Sequence, residues 1–158
     1  MLLLDFDGVV SPYGDEPTDD LALAHVGRYR LLYRPDVIAH LNGISRRGLV
    51  ELRWLTSWGQ DARTVSPVLG LDDFPLLGEV PISDEPHDTW PKLKTVQRCL
   101  AGGTRFAWID DDLTQERQHY VTEHYAQGQP MLLQVPPRVG LTAPLLDKAH
   151  RFLTGRGL

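Results

Sequence analysis

Cysteine is nearly absent from this sequence, because Cys99 is the only one among 158 residues. A single thiol cannot form an intramolecular disulfide, and it excludes a metal site built from several cysteines. The six histidines do not occur at the spacing of a zinc-binding His-Glu-x-x-His motif. The sequence also lacks a Gly-x-Ser-x-Gly elbow and a glycine-rich Walker loop. These absences exclude a disulfide scaffold and the common motifs of zinc enzymes, serine hydrolases and P-loop proteins.

An excess of positive charge is missing as well, since the net charge is -5. This excludes a broadly basic nucleic-acid surface but not a local basic groove. Long apolar runs are also missing: at the N-terminus only Leu2 to Leu4 precede Asp5, which is too short for a signal peptide or a membrane span. We therefore expect a cytoplasmic protein without membrane contact. At this length we expect one domain, residues 1–158, with one substantial core.

The most informative stretch is the first ten residues, in which the apolar run leads into Asp5 and Asp7, and Gly8 then turns the chain. An apolar run bounded by a turn is typical of a buried parallel strand. Residues i and i+2 of a strand point to the same side, so both carboxylates should project from its end. Two close carboxylates resist ionising together unless a cation or a shared proton relieves the repulsion. The stretch therefore indicates a metal site, although Asp-x-Asp-Gly is also ordinary turn composition.

Apolar periodicity predicts alternating strands and helices in the remainder of the chain. We expect strands at 49–55, 106–109 and 131–135, and helices at 35–46, 60–69, 90–100, 114–127 and 142–153, the last capped near Thr142. Residues 31–33 fit a short strand or flap, 78–80 fit another short strand, and 11–20 and 83–88 are polar loops. This alternation predicts an α/β fold with a mainly parallel sheet.

Polar side chains follow three of the predicted strands. They are Asp5 and Asp7, Thr56 and Ser57, and Asp110 and Asp111. If the strands are parallel neighbours, these side chains converge at one edge of the sheet, where α/β proteins carry their sites. Carboxylates with few histidines nearby favour a hard cation, most often Mg²⁺. Lys92 at a helix start and the Thr56 hydroxyl would complete a phosphate clamp.

Four motifs in this order resemble those of the haloacid-dehalogenase-like (HAD) phosphohydrolases. They are Asp5-Phe-Asp-Gly-Val9, Leu55-Thr-Ser57, Lys92, and Trp108-Ile-Asp-Asp111. Finer details are similar to the HAD domain of bacterial "Swiss Army Knife" RNA-repair proteins: Thr56-Ser-Trp58 with Asp61-Ala62, Lys92-Leu-x-x-Val96, Ala107-Trp-Ile-Asp-Asp-Asp-Leu113 and Pro137-Arg-Val-Gly-Leu-Thr142. The resemblance covers residue 2 to about residue 135 and implies a HAD-like Rossmannoid three-layer sandwich.

The resemblance implies roles for the acidic residues. Asp5 would be the nucleophile that takes the phosphoryl group, and Asp7 would be the general acid and then the base for water. Asp5, the backbone carbonyl of Asp7, and Asp111 would hold Mg²⁺. Asp110 would support this metal shell or orient Lys92. Because Asp110, Asp111 and Asp112 are consecutive, the assignment of the metal ligand among them stays open by one residue.

The resemblance also implies that Thr56, Ser57 and Lys92 bind phosphate oxygens, and alternatives stay open here. Thr56 would equally suit a helix N-cap, and Lys94 competes with Lys92. Asp112 is expected to be solvated or to cap the next helix.

No full cap domain fits between Gly8 and Leu49, which leaves a short flap or insert and an open site suited to a large substrate. Trp58 would stack on a base or, more commonly, pack against the next helix. Arginines in this region would contact a phosphate backbone or form a solvated face: Arg28, Arg30, Arg34, Arg46 and Arg47.

The function expected from these residues is a Mg²⁺-dependent phosphatase with an aspartyl-phosphate intermediate, its substrate an RNA or DNA end or another phosphorylated molecule. The alternatives are a small-molecule or nucleotide phosphatase and a non-catalytic module that binds a partner or RNA.

Overall fold

A four-stranded parallel sheet lies at the centre of the computed structural model, which describes residues 1–18, 20–81 and 90–155. Its strands, in spatial order, are β4 (Leu52–Trp54), β1 (Leu2–Leu4), β5 (Ala107–Asp110) and β6 (Met131–Gln134). Every neighbouring pair is parallel. The predicted α/β fold with a mainly parallel sheet is therefore confirmed, and β1 lies between the two strands whose ends carry the other polar side chains.

Five helices accompany the sheet in the described residues. They are α1 (Pro35–Arg47), α2 (Gln60–Val65), α3 (Pro91–Cys99), α4 (Gln115–His124) and α5 (Ala143–Thr154). Pro35 occupies the first turn of α1, where its missing N–H would have no helical partner. Arg46 and Arg47 lie in its last turn, where cations interact favourably with the helix dipole. None of the helices in the described residues is long and apolar enough to cross a membrane.

Two separate apolar clusters cover the two faces of the sheet, because successive residues of a strand point to opposite faces. Leu2 and Leu4 pack in one cluster with apolar residues of α1 and α5. Leu3 and Trp108 pack in the other with residues of α3 and α4. Each fully buried leucine contributes roughly 1.5–3 kcal/mol of transfer free energy. The helix–sheet–helix layering therefore buries all three residues of β1 completely.

An antiparallel hairpin, here called the flap hairpin, stands apart from the main sheet and consists of β2 (Ala22–Val26) and β3 (Tyr29–Tyr33). The sequence indicated only its second strand, because residues 22–26 are mostly half-buried and show no clean alternation. Apart from Asp19, which lies outside the described residues, residues 11–34 form this hairpin and its flanking loops.

Several predicted boundaries differ from the structure. The strand predicted at 49–55 is shorter because Leu49 is exposed. The helix predicted at 60–69 changes at Ser66–Leu69 to a 3-10 turn that contains Pro67. The strand predicted at 78–80 is wrong, since the chain instead forms a single parallel bridge between Leu76 and Trp54. The loop predicted at 83–88 lies outside the described residues. Thr142 occupies the N-cap of α5, but its side chain makes no capping hydrogen bond.

Candidate active site

Asp5 follows the last residue of β1, and its backbone N–H continues the ladder to the carbonyl of Ile109 at 3.2 Å. Its carboxylate is buried, with only 6% of the residue exposed. Oδ1 accepts a hydrogen bond from the backbone N–H of Phe6 at 2.7 Å, and Oδ2 accepts one from Lys92 Nζ at 2.6 Å. These two donors hold the carboxylate in one orientation at the centre of the sheet's C-terminal edge.

Lys92 lies in the first turn of α3 and joins two acids, because its Nζ also lies 2.7 Å from Asp110 Oδ2. The start of α3 is anchored by Trp90, whose ring stacks on Trp108 of β5 with 4.7 Å between centroids and 9° between planes. Lys94 lines an outer groove between α3 and α4 instead. The structure therefore brings Lys92 to the acids.

Asp110 is fully buried, and both of its carboxylate oxygens accept hydrogen bonds from the protein. Oδ1 accepts from the backbone N–H of Asp112 at 2.9 Å, and Oδ2 accepts from Trp108 Nε1 at 3.1 Å in addition to Lys92. A carboxylate whose two oxygens are both engaged by protein donors suits the role of orienting Lys92. Asp112 is exposed and pairs with Arg117. Of the two alternatives expected for Asp112, exposure to solvent is confirmed and capping of α4 is not, since Thr114 accepts the capping hydrogen bond.

Asp111 is partly exposed and lies directly over Gly8. Gly8 has φ +69°, and a Cβ atom there would come within 2.6 Å of Asp111 Oδ2. The turn is closed by the N–H of Gly8 donating to the carbonyl of Ser11 at 2.8 Å. Asp5, Asp110 and Asp111 each offer an oxygen, and these oxygens lie within 4.8 Å of one another. Glycine at position 8 allows this close gathering of acids.

Burial and the charges within this cluster shift the pKa values of Asp5, Lys92 and Asp111. Burial, followed by repulsion from Asp110, raises the pKa of Asp5 to about 7 against the opposing attraction of Lys92. Burial and Asp110 also raise the pKa of Asp111. Burial lowers the pKa of Lys92, but the attraction of Asp5 and Asp110 outweighs it and the net pKa is raised. One ammonium thus compensates only part of the negative charge, and a cation would stabilise the ionised acids.

The side chain of Asp7 points to another partner. Its Oδ2 accepts a hydrogen bond from Trp58 Nε1 at 2.7 Å. The Trp58 ring lies against Phe6, with centroids 4.8 Å apart, and against Tyr29 of the flap hairpin, 4.9 Å away. The proposed stacking on a base stays a prediction, and the observed partners of the Trp58 side chain are Phe6, Tyr29 and Asp7. Sequence reasoning missed this contact, because nothing local connects residues 51 positions apart.

Thr56 and Ser57 follow β4 at the same edge of the sheet. Thr56 is buried, and its Oγ1 accepts a hydrogen bond from the Trp58 N–H at 3.4 Å. It is not the N-cap of α2, a position that Gly59 occupies. Ser57 is exposed and lines a cleft of about 550 Å³ together with Trp58 and Arg98. The phosphate-binding roles of Thr56 and Ser57 stay predictions.

Tyr13 is a residue near the site that the sequence did not indicate. Burial and the negative charges of Asp7, Asp111 and Asp5 raise the pKa of its hydroxyl, although half of the residue is exposed. Its backbone N–H donates to the carbonyl of Pro137 at 2.8 Å, which fixes the loop beside the acids. A tyrosine in a polar loop carries no periodic or spacing signal, so only the fold reveals its position.

The sequence model of one known family, described as the HAD domain in Swiss Army Knife RNA repair proteins, matches residues 1–146. The chain belongs to this family. The matched range contains all four motifs of the HAD domain and extends from β1 into α5. Comparison with curated proteins gave no significant match, and neither did comparison with solved structures.

Membership in the HAD family indicates hydrolase activity, and HAD domains typically use a metal ion. The acids of this HAD domain fit such an ion: Asp5, Asp110 and Asp111 offer three hard oxygen donors in one small region. Asp110 is fully buried and accepts three hydrogen bonds from the protein, whereas Asp5 accepts two and Asp111 is partly exposed, so Asp5 and Asp111 are the better available ligands. The prediction of a metal site is supported at this level.

Proposed function

We propose that this HAD domain is a Mg²⁺-dependent phosphohydrolase that transfers a phosphoryl group to Asp5 and then to water. The observation that carries the proposal is the buried Asp5 carboxylate, held by Lys92 and the Phe6 N–H beside the partly exposed Asp111. A carboxylate in a fixed orientation, with a cation beside it, suits attack on phosphorus.

In the first step, an oxygen of Asp5 attacks phosphorus and the bond from phosphorus to the leaving oxygen breaks. Asp7 gives its proton to that oxygen, so the product leaves as a neutral alcohol. Lys92, which lies 2.6 Å from Asp5, stabilises the negative charge around the reacting group. In the second step, the Asp7 carboxylate takes a proton from water as that water attacks phosphorus. The bond to Asp5 breaks, inorganic phosphate leaves, and Asp7 is protonated again.

Asp5, Asp111 and the backbone carbonyl of Asp7 would hold the metal. When bound, Mg²⁺ supplies positive charge to the phosphoryl oxygens. Asp110 holds Lys92 in place and leaves the other two acids to the metal. This division of roles follows from burial, since Asp110 is fully enclosed and Asp111 is partly exposed.

The substrate that fits best is a phosphorylated RNA end. The insert after β1 contains the flap hairpin and two exposed aromatic rings. Tyr13 lies near the acids, and Tyr29 lies against Trp58. The Arg28 guanidinium lies over the Tyr29 ring at 5.4 Å and would add positive charge near a nucleic-acid strand. Aromatic rings next to cations are the ordinary elements of single-strand binding. The family's occurrence in RNA repair proteins supports this substrate class.

A panel of substrates tests the proposal. The wild type and Asp5→Asn are compared on oligonucleotides with 5′- or 3′-phosphate, on mononucleotides and on sugar phosphates, with Mg²⁺ and with a chelator. We expect turnover that requires Mg²⁺, prefers an oligonucleotide end and disappears in Asp5→Asn. The control is Asp112→Asn, an exposed acid paired with Arg117, which should retain activity.

Each contrary result has a distinct meaning. Full activity of Asp5→Asn refutes the mechanism. A preference for sugar phosphates or mononucleotides identifies a small-molecule phosphatase. An absence of turnover with any divalent metal, together with binding of RNA in a gel shift, identifies a non-catalytic module.

A further inference from the structure

We propose that Trp58 is a positioning residue that presents one particular oxygen of Asp7 to the leaving group. The inference rests on the proposed function, since it concerns how the proton donor of that reaction is held. It starts from the 2.7 Å contact between Trp58 Nε1 and Asp7 Oδ2.

The chemistry of the indole makes this contact directional. An indole N–H donates and cannot accept, so Asp7 Oδ2 must be the acceptor. The carbonyl oxygen of a neutral carboxyl group is a better acceptor than its hydroxyl oxygen, so this hydrogen bond favours the proton of Asp7 on Oδ1, the oxygen left for the substrate. A donor to one oxygen also fixes the rotation of the carboxyl group about its last bond, which is otherwise a broad and weakly restricted torsion.

The indole itself is held on two sides. Its ring lies against Phe6, the residue between Asp5 and Asp7, and against Tyr29 at the end of the flap hairpin. Its backbone N–H donates to Thr56 Oγ1 at 3.4 Å. Trp58 is thus held both by the turn that carries Asp7 and by the flap hairpin, so its indole N–H is a stable donor to Asp7.

A second indole in the same site, that of Trp108, also donates to a carboxylate, but to one that is fully buried. Trp108 Nε1 donates to Asp110 Oδ2 at 3.1 Å, and both residues are fully buried. That bond serves an acid that does not meet substrate. Trp58 and Asp7 are both only partly buried, so the oxygen that Trp58 leaves uncovered belongs to a carboxyl group that solvent and substrate reach.

The proton transfers balance without any change in Trp58. As the bond from phosphorus to the leaving oxygen breaks, the proton moves from Asp7 Oδ1 to that oxygen, and Oδ2 keeps its hydrogen bond. When water later attacks the phosphorylated Asp5, Oδ1 takes the proton from water. Trp58 holds the same bond through both steps and neither gains nor loses a proton.

Trp58→Phe tests the proposal, because it removes the N–H and keeps a ring to pack against Phe6 and Tyr29. Proton donation matters for a basic leaving group and hardly at all for an acidic one. We expect kcat/KM for an alkyl phosphate to fall about tenfold or more, while kcat/KM for dinitrophenyl phosphate changes less than about twofold. An equal fall on both substrates, or no fall on either, overturns the inference.

A second pair of variants keeps the test decisive where Trp58→Phe disturbs folding. Trp58→Gln and Trp58→Leu both lose the ring, but only glutamine offers an N–H. The glutamine variant should retain a faster rate on the alkyl phosphate than the leucine variant, and equal rates overturn the inference. A wild type without turnover on any substrate would instead refute the proposed function.

Discussion

The Lys92 ammonium lies between the carboxylates of Asp5 and Asp110, 2.6 and 2.7 Å from them. The two acids end neighbouring strands of the sheet, β1 and β5, and Lys92 comes from the helix that precedes β5. Two consecutive elements, α3 and β5, therefore meet the distant strand β1 in one ion-paired group.

Asp110→Asn should destabilise the protein although the two side chains are nearly equal in size. Both oxygens of Asp110 accept from N–H donors, so an amide NH₂ would face a donor on whichever side it points. An unmade buried hydrogen bond of this kind costs about 1–3 kcal/mol. Urea unfolding should show this loss of unfolding free energy, while Asp112→Asn should change it by less than about 0.5 kcal/mol. Equal effects of the two substitutions would contradict the assigned role of Asp110.

Lys92→Met should be far more harmful than Lys94→Met. Removing the Lys92 ammonium leaves Asp5 and Asp110 buried without their compensating charge, a change that costs about 3–5 kcal/mol when both stay ionised. Lys94 lines an outer groove, so its loss should have little effect on unfolding or turnover. Thermal unfolding and phosphatase assays of this matched pair measure both consequences. A larger effect at position 94 would identify the other lysine as the functional one.

Asp5→Asn should change the pH dependence of stability in the metal-free protein. Because the pKa of Asp5 is about 7 in the folded state and ordinary, 3.8, in the unfolded state, the folded state binds more protons between these values. Stability should therefore fall as pH rises towards 7 and stay level above it. The wild type should lose about 2–3 kcal/mol relative to Asp5→Asn between pH 5 and pH 8.

The measurement is urea unfolding of both proteins at several pH values with a chelator present. Parallel curves for the two proteins would show that Asp5 titrates normally in the fold.

Gly8→Ala should weaken Mg²⁺ binding, because the new Cβ would displace the Asp111 carboxylate from its position. Gly48→Ala is the matched control: φ is +66° there as well, but nothing lies near the added atom. Both variants should lose about 1–2 kcal/mol through left-handed strain. Only Gly8→Ala should lose the rise in melting temperature that Mg²⁺ gives the wild type, as titration with MgCl₂ monitored by thermal unfolding would show. A normal Mg²⁺ response in Gly8→Ala would remove Asp111 from the metal site.

Sequence reasoning could predict the parts of this protein that depend on local pattern. Apolar runs that end in acids predicted β1 and β5, and the order of the motifs indicated the family, which the comparison with the family model confirms. The parallel sheet then required the acids of both strands to meet at one edge. The second strand of the flap hairpin was predicted but not the first, because its half-exposed residues lack the alternation of a strand that buries one face.

Only the tertiary structure decided which side chains become partners. Lys92 and Lys94 stand two positions apart on one helix, and the packing of that helix, whose preceding Trp90 stacks on Trp108, turns Lys92 towards the acids and Lys94 towards an outer groove. The contact of Trp58 with Asp7 likewise depends on the packing of β1, the turn after β4 and the flap hairpin. The physical reason is that periodicity sets the direction of a side chain from its own element, whereas a hydrogen bond requires two elements to be placed within a few tenths of an ångström.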